Sequence, residues 1–87
     1  MGVSEFALAV VAFCYATNGS VTSWGRTAKR NSAVGGHPNS WHLNFLAADV
    51  VYDVSVPEER ARFLAGRHGL RLVREATHDH LQPDVKS

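Results

Sequence analysis

The sequence predicts a small α+β fold: a small antiparallel or mixed sheet with helices packed against it. Three observations lead there. Hydrophobic residues make up 45% and charged residues 20% of 87 residues, a globular balance in a chain of one-domain size, taken as residues 1–87. One long apolar run near the start contrasts with several short segments rich in β-branched and aromatic residues. Gly, Pro and Asn punctuate these segments, with no repeat, low-complexity tract or linker to divide them.

The run from Phe6 to Tyr15 reads as a core helix over about residues 5–16 with Ser4 as its cap, although its all-round apolar character leaves a buried strand open. Asn18-Gly19 is a turn, and Ser20 to Trp24 suits a pleated surface. The polar stretch from Gly25 to Ser40, with Gly35-Gly36, Pro38 and Asn39, reads as a long loop. In so small a domain such a loop is either a misassigned segment or a functional feature, with function the expectation. Ala47 to Asp53 is a second strand. Ser55-x-x-Glu58 has the spacing of a capping box that opens a helix from Val56 to about Gly66, and Gly69 stops it. Leu70 to Arg74 is a third strand, and His78 to Gln82 a fourth that Pro83 ends.

Charge and cysteine content narrow the function. Nine Lys+Arg against eight Asp+Glu give a formal charge of +1, with no basic stripe to neutralise a phosphate backbone, so nucleic acid is not the expected partner. The single Cys14 cannot form an intramolecular disulfide and reads as a small buried hydrophobe. The apolar run has no preceding Lys or Arg and no clean cleavage site, which argues against a signal peptide, and its ten residues are too few to span a bilayer. Synthesis in the cytoplasm without membrane insertion is the expectation.

Metal-type ligands stand in three places. His42 and Asp49 are seven residues apart, and His78-Asp79-His80 follows some thirty residues later. Two histidines and one carboxylate form the ligand set of an open zinc site with a fourth position for water. On a strand, His78, His80 and Gln82 share one face while Asp79 and Leu81 share the other, so both imidazoles can address one pocket on the sheet. His37 and His68 fit no ligand pattern. A metal-free reading, in which the histidines are merely polar residues, stays open at this level.

The local sequence around these residues is more specific. Ser40-Trp41-His42-Leu43-Asn44-Phe45-Leu46-Ala47-Ala48-Asp49 resembles the S-x-H-x-x-G-x-A-x-D signature of the zinc D-alanyl-D-alanine carboxypeptidase family, within the wider group that holds lysostaphin-type enzymes and the Hedgehog signalling domain. Glu75 to Gln82 resembles the family's second block, E-x-D-H-x-H-x-Q. Upstream, Ser23-Trp24-Gly25-Arg26-Thr27, Arg30-Asn31 and Val34-Gly35-Gly36 are similar to the S-G-Y-R-T, R-N and V-G-G elements of many bacterial and phage members. The resemblance covers residues 20–82 in three blocks.

Carried over residue by residue, the resemblance makes His42, Asp49 and His80 the ligands of Zn2+, with His78 beside them to orient water or stabilise the transition state. Arg26 matches an arginine that faces substrate carboxylate or carbonyl, a task suited to a planar fork of donors, and Ser40 matches a serine at the site's rim. The implied chemistry is hydrolysis of peptide bonds in peptidoglycan stems by a zinc-activated water, of the carboxypeptidase or endopeptidase type. A carboxylate base is then required.

Three departures stand out. Thr77 occupies the position of the family's usual aspartate base, three residues before the last zinc histidine. Glu75 is the base named instead, either by swinging its longer side chain onto the water or in a register where His78 is the ligand and Glu75-x-x-His78 matches the E-x-x-H of related D,D-dipeptidases. Phe45 replaces a glycine, which implies either a turn shifted by one residue onto Asn44 or a damaged site. The chain also carries fewer residues ahead of the first block than relatives do, which implies more reliance on the metal for folding. Two functions follow: a cell-wall peptidase of phage or bacterial type, or an inactive zinc-binding module such as a virion or wall-binding component. Any wall-directed activity then needs a holin-type release, a virion or another export route.

Overall fold

A computed structural model describes residues 1–25 and 45–84. Over these residues two helices pack on one face of a four-stranded antiparallel sheet, the α+β arrangement that the sequence predicts. In chain order the elements are α1 (Val3–Thr17), β1 (Gly19–Ser23), β2 (Ala48–Tyr52), α2 (Glu58–Arg67), β3 (Leu70–Arg74) and β4 (Asp79–Pro83). The sheet order is β1-β2-β4-β3. The expected loop from Gly25 to Ser40 lies outside the described residues, apart from Gly25 itself.

α1 is a helix, which settles the helix-or-strand alternative, but it starts earlier than expected. Its N-cap is Gly2 rather than Ser4, and the Glu5 side chain accepts a hydrogen bond from the Gly2 N–H at 3.4 Å. An acidic group in the first turn also meets the positive end of the helix dipole. Asn18 closes the helix in the left-handed region at φ 54°, donating its N–H to the Cys14 carbonyl. Asparagine tolerates that conformation, so the turn into β1 is tight. Only one face of α1 is buried: Phe6, Val10 and Phe13 enter the core while Leu8, Val11 and Tyr15 remain exposed.

The capping box at Ser55 does not form. α2 begins at Glu58, with Pro57 at the N-cap and no side-chain cap bond. The cause is local: proline disfavours the helical region for the residue before it, so Val56 stays out of the helix. Pro57 contributes its carbonyl, which accepts the Ala61 N–H at 3.0 Å. At the other end Gly69 takes φ 73°, a value that needs no Cβ, and turns the chain into β3.

Strand alternation gives the sheet two different faces. Ala48, Val50, Leu70, Leu72 and Leu81 point to the helices and meet Phe6, Val10, Phe13, Ala61 and Ala65 in one core. Asp49, His80 and Gln82 point the other way. β3 has the predicted bounds, whereas β4 is shifted by one residue: His78 precedes it, and Pro83 stays in register opposite Leu70 instead of ending the pairing at Gln82. No helix among the described residues is long and apolar enough to cross a membrane.

Candidate metal centre

The face of the sheet away from the helices brings together residues that are distant in the chain. Asp49 on β2 and His80 on β4 are direct cross-strand partners. His80 Nδ1 stands 3.3 Å from Asp49 Oδ1, and His78 Nε2 stands 3.6 Å from the same oxygen. Both histidines therefore address one carboxylate, even though only His80 lies within the strand. His78 sits at the end of the turn that joins β3 to β4, where its carbonyl accepts the Glu75 N–H at 2.9 Å. That bond closes the turn and leaves the Glu75 side chain exposed at its start.

Two further features shape this patch. β1 carries a bulge between Val21 and Ser23, after which Ser23 pairs with Asp49. Thr22, the extra residue, donates its hydroxyl to the Asp49 carbonyl at 3.3 Å. Bulges are frequent beside active sites because they re-aim side chains without breaking the sheet. Gln82 Oε1 stands 3.0 Å from His80 Nε2, so the His80 ring is held at both nitrogens. Gln82 was legible only as a residue sharing the His80 face; its spacing of two along one strand was the signal for this partnership.

The electrostatics follow from these contacts. The hydrogen bond with Asp49 is the largest influence on His80, and with the Gln82 contact and the Asp49 and Glu75 charges it outweighs burial and raises the ring above its ordinary value of 6.5. Donors bound to one tetrahedral zinc at about 2.0–2.1 Å stand about 3.3–3.4 Å from each other. The Asp49–His80 separation of 3.3 Å, a hydrogen-bond contact here, is compatible with that edge, and a carboxylate with an imidazole is a zinc-type donor pair, so the chemistry of these two donors fits the metal. Among the described residues no group of three such side chains is arranged to hold a metal, and the third expected ligand, His42, lies outside them. Arg26 and Ser40 lie outside them as well.

Two of the three departures from the pattern, Thr77 and Phe45, fall among the described residues. Thr77 Oγ1 is 3.1 Å from His78 Nδ1, which leaves Nε2 to face Asp49. Phe45 itself takes the left-handed conformation at φ 58°, so the chain keeps a glycine-type backbone there with a large side chain on it, while Asn44, the residue that could shift the turn, lies outside the described residues. The Phe45 ring covers Gly25, where an added methyl group would overlap it.

The neighbouring Asp79 belongs to the opposite, helix-facing side and is 1% exposed. Arg74 donates to it twice, from Nε to Oδ1 and from Nη2 to Oδ2, each at 2.8 Å, and the Tyr52 hydroxyl donates to Oδ2 at 2.6 Å. Burial pushes the Asp79 carboxyl up, but the bonds from Arg74 and Tyr52 outweigh it and hold the group below the usual carboxylate range. The sequence reading did not detect this network.

Comparison with curated proteins and with solved structures gives no match. A family model described as Peptidase M15 does match, over residues 8–81, a span that includes every candidate site residue from Arg26 to His80. Peptidases of this family are generally zinc-dependent. With most of its length matched, and with an aspartate and two histidines gathered on one sheet face, the chain belongs to the peptidase M15 family.

Proposed function

We propose that the chain is a single-domain zinc peptidase, residues 1–87, that hydrolyses peptide bonds in the stem peptides of bacterial peptidoglycan as a carboxypeptidase or endopeptidase. Its place of action is the bacterial cell wall, reached from the cytoplasm by release or in a virion. The observation that carries this reading is the convergence of His78 and His80 on one Asp49 oxygen, within a chain that matches a peptidase family. In this reading His42, Asp49 and His80 hold Zn2+, which when bound lowers the pKa of water and polarises the scissile carbonyl.

The remaining work falls to side chains of this chain. Glu75 takes the proton of the attacking water and passes it to the leaving amine. It starts the turn that ends at His78, and its charge is felt by His80. His78, with Nδ1 engaged by Thr77, offers Nε2 toward the site and stabilises the oxygen of the reacting carbonyl. Gln82 orients His80, as outer partners of metal-binding histidines generally do. Arg26 binds the substrate carboxylate or carbonyl, and Ser40 lines the rim.

The test is metal content together with turnover on defined muropeptides, for the parent and for Glu75→Ala. The expected result is bound zinc in both and a loss of turnover of at least about 100-fold in the variant. Zinc without turnover on any muropeptide over a broad pH range would establish the second reading, an inactive zinc-binding module. Thr77 motivates that alternative, because a threonine bonded to His78 stands where a carboxylate base is usual.

A further inference from the structure

We propose that Arg74, Asp79 and Tyr52 form a clamp on the helix side of the sheet that positions His78 and His80 on its other side. The proposal rests on reading the two histidines as site residues. Asp79 is the residue between them, and side chains of a strand alternate. Whatever pins Asp79 inward therefore aims His80, the next residue of β4, outward and fixes the backbone from which the His78 turn departs.

The need for a clamp follows from the composition of β4. Its inward positions are Asp79, Leu81 and Pro83, so a carboxylate occupies one of three places that face the core. A slip of one residue would exchange the faces and turn the histidines toward the helices. The clamp opposes this slip by giving the carboxylate a full set of partners only in the observed register. The Arg74 fork reaches both oxygens from β3, and the Tyr52 hydroxyl reaches Oδ2 from β2. Three adjacent strands are thus tied at one point.

That point is also where the turn begins. Arg74 and Asp79 form the last pair of the β3–β4 ladder, and the turn that carries Glu75, Thr77 and His78 springs directly from it. Asp79 faces Val50 on the other side, one residue from Asp49. Both the register of His80 against Asp49 and the take-off of the turn are therefore set by the same carboxylate. Arg74, Asp79 and Tyr52 bond to one another on the helix-facing side and act on the histidines through the backbone of β4 and its turn, so they are positioning residues.

The test compares the parent chain, residues 1–87, with Tyr52→Phe and Arg74→Lys, each of which keeps the volume or the charge while breaking the clamp. Val10→Ala, a core change on α1, is the control for lost stability. One readout is the set of nuclear Overhauser contacts from the His78 and His80 rings to the Asp49 β protons in metal-free protein. The other is the zinc dissociation constant from competition with a chelating dye. The expected result is weakened ring contacts and about tenfold or more weaker zinc binding in both clamp variants, with neither change in the control. Clamp variants that keep their ring contacts, or a control that loses them equally, would overturn the proposal. Should the parent bind no zinc, the metal-centre reading fails, while the ring contacts still decide whether the clamp exists.

Discussion

At the scale of single residues, His80 is the group whose surroundings make the sharpest statement. Its proton is stabilised first by Asp49, so Asp49→Asn should bring the ring back toward 6.5, observable by following its NMR signals with pH. Because the folded value is raised, this interaction contributes stability to metal-free protein below the ordinary histidine range, and that contribution fades as pH climbs through the raised value. Zinc requires the unprotonated ring, so protons compete with it from a higher pH than for a free imidazole. Zinc affinity should fall on acidification across that window. A His80 that titrates identically in parent and Asp49→Asn would refute the coupling. Phe45 offers a second residue-scale test. Holding a phenylalanine in the left-handed region costs about 1–2 kcal/mol, and its ring fills the space over Gly25. Gly25→Ala should destabilise the chain by about 1–3 kcal/mol, and much less when Phe45→Gly has first removed the ring. Urea denaturation of the four proteins of that cycle measures the coupling.

At the scale of elements, what the sequence revealed depended on whether a local rule acted alone. β3 was legible to the residue because Leu70, Arg71 and Leu72 alternate directly after the Gly69 stop, even though Val73 and Arg74 break the alternation. α2 was legible as a helix but not in its start, since Pro57 overrides the Ser55-x-x-Glu58 spacing. This makes a prediction: Ser55→Ala should change stability by less than about 0.5 kcal/mol, where loss of a working N-cap costs about 1 kcal/mol. A larger loss in a urea titration would mean that the serine caps the helix after all. β4 was misplaced by one residue because His78 and His80 have the same spacing whether or not the strand includes the first of them. What the spacing did convey was their shared side, and the common approach to Asp49 Oδ1 follows from it. The β1 bulge had no sequence signal, because Thr22 suits a regular strand equally well and only the pairing with β2 reveals the extra residue.

At the scale of the molecule, the site joins parts of the chain that only the sheet order makes neighbours. β4 inserts between β2 and β3, so His80 meets Asp49 from thirty-one residues away. No periodicity contains that information; the motif resemblance conveyed it, and the Tyr52–Asp79–Arg74 network, which matched no motif, was missed. A site of this kind links folding to the metal. Among the described residues the core cluster numbers ten, with alanines at Ala48, Ala61 and Ala65, and a cation shared by distant strands would stabilise the folded state alone. At zinc concentrations of about 100 times the dissociation constant the gain is about 2.7 kcal/mol. For a chain of this length that corresponds to a rise in Tm of about 10–20 °C. Calorimetry with zinc should show this rise, a chelator should reverse it, and His80→Ala should abolish it while keeping a measurable transition of its own. A parent whose Tm ignores both zinc and chelator would mean that the imidazoles and the carboxylate are only a polar patch on the sheet.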